Sequence, residues 1–317
     1  MKISGFTMAK NADKLYYPWR EAILSILPIV DEFIVAIGDC DADDNSKRLI
    51  ESIDSPKIKI IDTVWDIEKY PNGMENAHQT DIAKKHCTGD WLFYLQADEL
   101  IHEKYLPVIK NRCKELLNDK EVEGLLFKYK HFWGDYNHYH NSHVWYKNEI
   151  RIIRNNPEIH SWESAQSFRR IPDFDEINYR RQNNTFKLKV KPLDACVYHY
   201  GWVRPPHLMG KKRKALDIIH KGAEEVQKLE AKGHYDFNYG ALNKLPVFKD
   251  SHPAVMKAVI ENFNWKDKLN YTSKAEANKE KHKHDKLKYK LVSFIENTIL
   301  GGRSLGSFKN YIVLKQH

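Results

Sequence analysis

The sequence predicts an α/β fold, with a mostly parallel central sheet and helices on both faces. Three observations predict it. Residues 33–37 and 91–95 are nearly unbroken apolar runs of strand length, too continuous for strands with one wet face. Segments of helical periodicity alternate with such runs through residues 1–100, and helical crossovers return a chain to a parallel neighbour. The run at 91–95 then leads into the adjacent carboxylates Asp98 and Glu99, at the end of the sheet where open α/β folds keep their ligands.

Taken in order, residues 2–8 read as a first strand, followed by a turn-rich stretch, 9–13, with helix-capping residues. Residues 15–27 carry Trp19, Ala22, Ile23, Ile26 and Leu27 at helical spacing and stop at Pro28. The second strand, 33–37, opens into an acidic loop over 38–46, with Asp39, Asp41, Asp43 and Asp44, that caps a helix at 47–53. A third strand at 57–62, a helix at 75–86 and the strand at 90–95 complete the alternation, and a helix follows at 104–117. Residues 123–130 read as a strand leading into a histidine- and aromatic-rich stretch, 131–146, and 149–154 alternates as a half-buried strand does. Residues 155–185 read as polar loop and 193–200 as a late strand. A basic amphipathic helix is predicted over 211–232, a short helix over 254–263, and a Lys/His-rich solvated helix over 274–290 before a last apolar segment at 291–300.

A chain of 317 residues is long for a single core, so one main domain plus a substantial C-terminal extension is expected. The net charge of +8 is unevenly placed: residues 266–317 hold 12 Lys+Arg against 5 Asp+Glu, leaving the body nearly neutral. That argues for a basic tail and against a nucleic-acid-binding face. Cys40, Cys87, Cys113 and Cys196 are far apart with no C-x-x-C pair, which predicts neither a disulfide framework nor a thiolate zinc site, and a reducing compartment. The first residues lack the apolar core of a signal peptide, and no apolar run approaches the ~20 residues of a membrane span. A cytoplasmic protein is expected, at most peripheral to the inner face of a membrane.

Asp98 and Glu99 have two readings. Hard oxygen ligands there can hold Mg²⁺ or Mn²⁺, and the ion a diphosphate; equally, the pair can cap the following helix. The acidic loop is likewise either a ligand loop or a solvated turn. His138, His140 and His143 allow a zinc site, a carbohydrate-acceptor surface with the neighbouring aromatics, or a buried hairpin with satisfied histidines.

The turn at residues 4–11, the acidic loop at 39–45 and the run Leu95, Gln96, Ala97, Asp98, Glu99 together resemble the GT-A glycosyltransferases, most closely the family 2-like bacterial sugar transferases. The segment at 197–206, with His199, Gly201, Trp202 and Arg204, resembles the stretch after the last core strand in that group. The resemblance covers about residues 1–215 and implies a catalytic domain there, with a nucleotide-binding half at 1–100 and an acceptor-side half at 101–215; residues 216–317 form a basic, mainly helical extension. It implies an inverting, metal-dependent transferase that moves a sugar from a nucleotide-diphosphate sugar, such as a UDP-sugar, to a saccharide or lipid-linked acceptor in surface polysaccharide biosynthesis.

Carried over residue by residue, the resemblance places Thr7, Met8 and Asp39 at the base and ribose, and Asp98 on Mn²⁺ or Mg²⁺ with His199 as second ligand. The family's Asp-x-Asp is Gln96, Ala97, Asp98 here, so the first position keeps hydrogen-bonding capacity without charge. Arg204, Lys211 and Lys212 are expected near the diphosphate, and Glu163 as general base beside Trp162, with Asp135 in reserve. Trp133, Asp135, Tyr136 and Trp162 are expected to bind acceptor. The basic C-terminus either rests on an anionic membrane, pairs with a second copy of the chain, or is simply solvated. Two rivals remain. A sugar-nucleotide pyrophosphorylase would need a Gly-rich loop after the first strand, where residues 4–13 hold one glycine. A noncatalytic nucleotide- or carbohydrate-binding protein is favoured by Gln96.

Overall fold

The computed structural model describes residues 1–272, 282–301, 304–306 and 309–315. Its elements run β1 (Ile3–Ala9), α1 (Trp19–Ile26), β2 (Glu32–Ile37), α2 (Ser46–Glu51), β3 (Ile58–Asp62), α3 (Met74–Lys85), β4 (Trp91–Tyr94), β5 (Glu99–Ile101) and α4 (Leu106–Glu115). There follow β6 (Gly124–Trp133), β7 (Tyr139–His140), β8 (Asn148–Arg154), β9 (Ile159–Trp162), β10 (Ser167–Arg170), β11 (Phe186–Trp202), α5 (Pro206–Lys221), α6 (Ala223–Glu230), α7 (Lys257–Glu261), α8 (Leu287–Phe294) and β12 (Tyr311–Val313).

The sheet has the order β3-β2-β1-β4-β8-β6-β11-β10-β9. Strands β3, β2, β1 and β4 are parallel, β8 is inserted antiparallel between β4 and β6, and β6 and β11 are parallel again. This is the mostly parallel α/β sheet the sequence predicts. Alternate residues of the two apolar runs explain its layers. Phe33, Val35, Ile37, Trp91 and Phe93 pack under α1, α2 and α4. Ile34, Ala36, Leu92 and Tyr94 face Ala83 of α3 and Ile159 and Phe168 of β9 and β10. Each such side chain contributes about 1.5–3 kcal/mol by leaving water.

Three departures from the expected elements have local causes. Helix α1 begins at Trp19 rather than residue 15, because Tyr16 is left-handed (φ 58°) and Pro18 precedes the first turn. The expected loop at 155–185 contains the β9–β10 hairpin, whose turn uses left-handed Glu163 (φ 58°) and Ala165 (φ 56°) instead of glycine. The basic helix at 211–232 is two helices, α5 and α6, meeting at Gly222 with φ 82°.

The helix expected at 274–290 falls partly on residues 273–281, outside the described residues; α8 covers its end and runs on into a π-helical turn, Ile295–Ile299. The chain beyond residue 215 packs against the main body. Trp265 is buried with its indole N–H on the Gly134 carbonyl (3.0 Å), and β12 joins β11 in parallel. Among the described residues no helix is long and apolar enough to cross a membrane.

Candidate functional site

A cavity of about 460 Å³ opens at the carboxyl ends of β1 and β4 and is walled by α5. Met8 near the end of β1, Lys10 and Asn11 after it, Gln96, Ala97 and Asp98 after β4, His199 and Trp202 of β11, and Lys212 of α5 converge on it. This is the crevice where an open parallel sheet presents its loops to a ligand.

The adjacent carboxylates part company. Glu99 turns into the core, where Arg151 forks onto both its oxygens (2.6 and 2.8 Å), the Tyr129 hydroxyl donates at 2.9 Å and the Gln96 amide N–H at 3.1 Å. A bidentate buried pair with its remaining lone pairs satisfied is rigid. It fixes the turn that aims Asp98 the other way. The antiparallel register Glu99↔His199, with the Tyr200 N–H on the Asp98 carbonyl (2.8 Å), then sets Asp98 beside His199. Neither residue acts as a helix cap.

Asp98 is only 5% exposed. Burial works to raise its carboxyl pKa, but the charges of Lys212 and Arg204, joined by His199 once acid protonates it, overcome this and hold it well below the usual range. Lys212 Nζ lies 3.0 Å from Oδ2, and burial pulls its own pKa down to about 8 despite Asp98. His199 Nε2 lies 3.7 Å from Oδ1, and burial lowers the imidazole to about 4, so it is neutral at pH 7.

The tautomer of His199 follows from its partners. His131 Nε2 is 2.7 Å from the Tyr146 carbonyl, which can only accept, so that nitrogen carries hydrogen. Burial lowers His131 to about 3, so the ring holds one proton and its Nδ1 is bare. His199 Nδ1, 2.9 Å away, must donate to it. The lone pair of His199 Nε2 therefore faces a carboxylate oxygen with no proton between them. Two bare acceptors 3.7 Å apart are what a cation bridges, and two metal–ligand bonds of ~2.1 Å can span that gap. A carboxylate with an imidazole suits Mn²⁺, and among the described residues no group of three His, Cys, Asp or Glu side chains is placed to hold an ion. Gly201 keeps the gap open: a Cβ there would stand 2.5 Å from Asp98 Oδ2 and 2.6 Å from His199 Nε2.

The remaining expected residues divide. Met8, Gln96 and Ala97 line the cavity. Gln96 spends its amide on the Ala165 carbonyl (2.9 Å), tying this turn to the β9–β10 turn. Thr7 is internal, its hydroxyl donating to the Leu95 carbonyl at 2.7 Å. Asp39 sits on the rim, accepting from Lys10 Nζ (2.8 Å) and the Trp65 N–H (2.9 Å), two residues that do line the cavity. Asp41 and Asp43 are taken by Lys14 at the surface. Lys211 is exposed on the far side of α5, whereas Lys212, Ala215, Leu216 and Ile219 share the cavity face. Arg204 is buried behind the site, donating to the Leu15 and Gly201 carbonyls and stacking 4.6 Å over Tyr17, whose ring lines the cavity. Glu163 is half-exposed on the hairpin turn, 3.7 Å from Arg180, and its neighbour Ser164 is the residue that reaches the cavity, held by Asn76 at 2.7 Å.

The residues expected on an acceptor surface are instead buried. Asp135 accepts from the N–H groups of Asn137 (2.9 Å) and His138 (2.8 Å) and from the Tyr271 hydroxyl (2.9 Å), so it closes a turn and is spent as a reserve base. Tyr136 packs among Tyr200, Phe263 and Trp265. Trp162 lies under Arg169 at 4.0 Å and against Tyr179. Trp133 stacks on Trp202 at 5.0 Å and lines a second cavity of about 500 Å³ on the other side of that pair. The 131–146 stretch is buried over 131–136 and mostly half-buried beyond: His138 bonds Asp135, His143 bonds Glu296, and buried His140 stacks on Trp145 with its Nε2 unpartnered. Sequence reasoning missed His131 and Trp65. No local signal marks His131, whose partner is 68 residues away.

No protein-family model matches the chain, and no curated protein matches it. Among solved structures it is similar to S. aureus TarS (15% identity over 74% of this chain and 43% of that one, TM-score 0.37). It is also similar to S. aureus TarS 1-349 in complex with UDP (15%, 74% and 70%, TM-score 0.37). A third is glucosyl-3-phosphoglycerate synthase from Mycobacterium tuberculosis in complex with Mn²⁺, UDP and phosphoglyceric acid (19%, 42% and 43%, TM-score 0.28). The chain spans less than half the length of the first and third of these. The chemistry of the site rests on its own geometry.

Proposed function

We propose that the protein is a nucleotide-sugar glycosyltransferase with the 460 Å³ cavity as its donor site. The observation that carries this is the buried pair of bare acceptors, Asp98 Oδ1 and His199 Nε2, beside the ammonium of Lys212. In this reading Asp98 and His199 hold a divalent ion, which when bound supplies positive charge to a departing nucleoside diphosphate. Lys212 adds a second cation from α5. Trp65 and Lys10 wall the cavity beside Asp39, where base and ribose would fit.

Transfer with inversion requires a base for the acceptor hydroxyl. We assign Glu163: its carboxylate takes the proton as the acceptor oxygen bonds the anomeric carbon and the carbon–oxygen bond to the diphosphate breaks. Glu163 is half-exposed beside Arg180 and does not itself line the cavity; it adjoins Ser164, which does. Glu163 and Ala165 both adopt left-handed φ, at about 1–2 kcal/mol each, to present Ser164 to the cavity between them. The acceptor is a saccharide or lipid-linked saccharide, which would place the enzyme in surface polysaccharide assembly, with residues 1–215 as catalytic part. A noncatalytic nucleotide-binding protein is the second reading, favoured by Asp98 being the sole carboxylate lining the cavity among the described residues.

The test is thermal stabilisation by UDP, GDP, CDP and dTDP, each with and without Mn²⁺. Saturation at about a hundred times Kd adds ~2.7 kcal/mol. Stabilisation by one nucleotide that needs Mn²⁺ and is lost in Asp98→Ala supports the donor site. Glu163→Ala should keep that stabilisation and lose transfer. No shift with any nucleotide would overturn the reading, and binding without sugar transfer would leave the noncatalytic one.

A further inference from the structure

Helix α8 is docked inside out. Its polar side faces the protein: Ser293 Oγ accepts from the His143 N–H (2.9 Å), Asn297 donates to the Asn141 carbonyl (3.0 Å), and buried Glu296 accepts from His143 Nδ1 (2.6 Å), Lys147 Nζ (2.9 Å) and the Leu305 N–H (2.7 Å). Its apolar side faces away, with Leu287 82%, Leu291 60%, Phe294 61% and Ile299 68% exposed. A surface helix ordinarily does the reverse. Leu287, Leu291 and Phe294 follow i, i+4, i+7 spacing. The π-turn, with its i→i+5 bond from Leu300 N–H to the Ile295 carbonyl (3.1 Å), brings Ile299 round under Phe294. Single exposed apolar residues are ordinary, but an aligned row of them marks a contact surface.

The charges beside the row say what covers it. Lys283, Lys286, Lys288 and Lys290 are all exposed around the start of the helix. The acids of the same segment are spent: Asp285 pairs with Lys290 at 3.4 Å and Glu296 is buried. A two-fold contact with a second copy would set these lysines against their own images. A row of four side chains is also narrow for a stable protein interface, which needs about 800 Å² per partner. An apolar row with lysines alongside is instead the form of a helix lying in a membrane interface.

We propose that α8 docks the protein on an anionic lipid surface, the four apolar side chains entering the acyl boundary and the lysines meeting lipid phosphates. The proposal stands apart from the glycosyltransferase reading. If both hold, the 500 Å³ cavity lined by Ser293, Phe294 and Trp133 lies at the membrane, one tryptophan pair away from the donor cavity, where a lipid-linked acceptor would enter.

The experiment is co-sedimentation of the full chain with phosphatidylcholine vesicles, with and without about 30% phosphatidylglycerol. Binding is expected only to the anionic vesicles and should weaken with added salt. Lys283→Gln/Lys286→Gln/Lys288→Gln should lower the partition constant by about 100-fold, at roughly fivefold per lysine. Leu291→Glu/Phe294→Glu should abolish binding. Both variants point outward and should keep the wild-type melting temperature and any nucleotide-dependent shift, so loss of docking is separable from misfolding and from failure of the donor-site reading. Binding to both vesicle types alike, binding to neither, or a wild-type dimer that the Glu pair makes monomeric would each overturn the proposal.

Discussion

Replacing Lys212 with Met tests the electrostatics at the centre of the site. The substitution keeps the length of the stem and removes the ammonium 3.0 Å from Asp98 Oδ2. What remains is a buried carboxylate whose other neighbour, His199 Nε2, offers a lone pair rather than a proton. Breaking a buried pair by removing one partner costs about 3–5 kcal/mol. With an unfolding entropy near 2.1 cal/mol/K per residue, ~0.67 kcal/mol/K for the whole chain, the melting temperature should fall by about 5–8 °C. The loss should follow pH with a definite sign. In the wild type the depressed Asp98 pKa gives stability that is present above its unfolded value and lost as pH falls. In the variant only Arg204, and His199 once protonated, still lower Asp98, so its depression is smaller and the deficit should shrink towards acid pH. A divalent ion held by Asp98 and His199 would replace the missing charge without competition from Lys212. Mn²⁺ should therefore raise the melting temperature of Lys212→Met more than that of the wild type. Scanning calorimetry or dye-based melting with and without Mn²⁺ reads both effects. An unchanged melting temperature would refute the buried-pair argument, and an equal Mn²⁺ response in both proteins would refute Asp98 as the metal ligand.

Other outcomes follow from the same geometry. His131→Phe keeps the ring but removes the acceptor that fixes the His199 tautomer, so Mn²⁺ affinity should weaken about 10- to 100-fold, measured by the paramagnetic resonance of free Mn²⁺; unchanged affinity would show that the histidine pair does not position the ligand. Gly201→Ala puts a methyl 2.5 Å from Asp98 Oδ2 and should remove Mn²⁺-dependent nucleotide stabilisation, which titration calorimetry would register; wild-type binding would mean the site has slack. Burial pushes the Glu149 carboxyl up to about 7 although Arg151 works against it, so its contribution is full below the unfolded value of 4.5 and fades as pH rises through 7. Glu149→Gln should flatten the stability-against-pH curve over that window by about 3 kcal/mol and raise stability at pH 8; a curve parallel to the wild type would contradict this.

The parts of the structure legible in the sequence are those written in local pattern. The runs at 33–37 and 91–95 could only be strands covered on both sides, and the helices between them forced parallel neighbours. Asp98 was legible because it follows a strand; His199, expected after the last core strand, lies inside β11, and only the resemblance at 197–206 singled it out. What was not legible depends on distant partners or unusual backbone. Glu99 looked like a ligand equal to Asp98 until Arg151, 52 residues on, claimed it. Glu163 and Ala165 turn a hairpin in conformations that sequence associates with glycine, so the hairpin read as loop. Lys211 and Lys212 were indistinguishable by composition. Phase with Ala215, Leu216 and Ile219 separates them, and the helix start at Pro206 sets that phase.

Gln96 fits what surrounds it. An aspartate at position 96 could not donate to the Ala165 carbonyl, and the bond from Gln96 is what joins the Asp98 turn to the turn carrying Glu163 and Ser164. The bond is a neutral tether between the two turns. The charge balance also shifts in favour of an anion. Lys10 is neutralised at the rim by Asp39, leaving Asp98 and Lys212 to cancel inside the cavity. A bound divalent ion then gives a net double positive charge, with no second carboxylate to diminish it, facing the place a diphosphate would occupy. One carboxylate, one imidazole held in a single tautomer and one buried lysine thus converge on the same wall of the cavity.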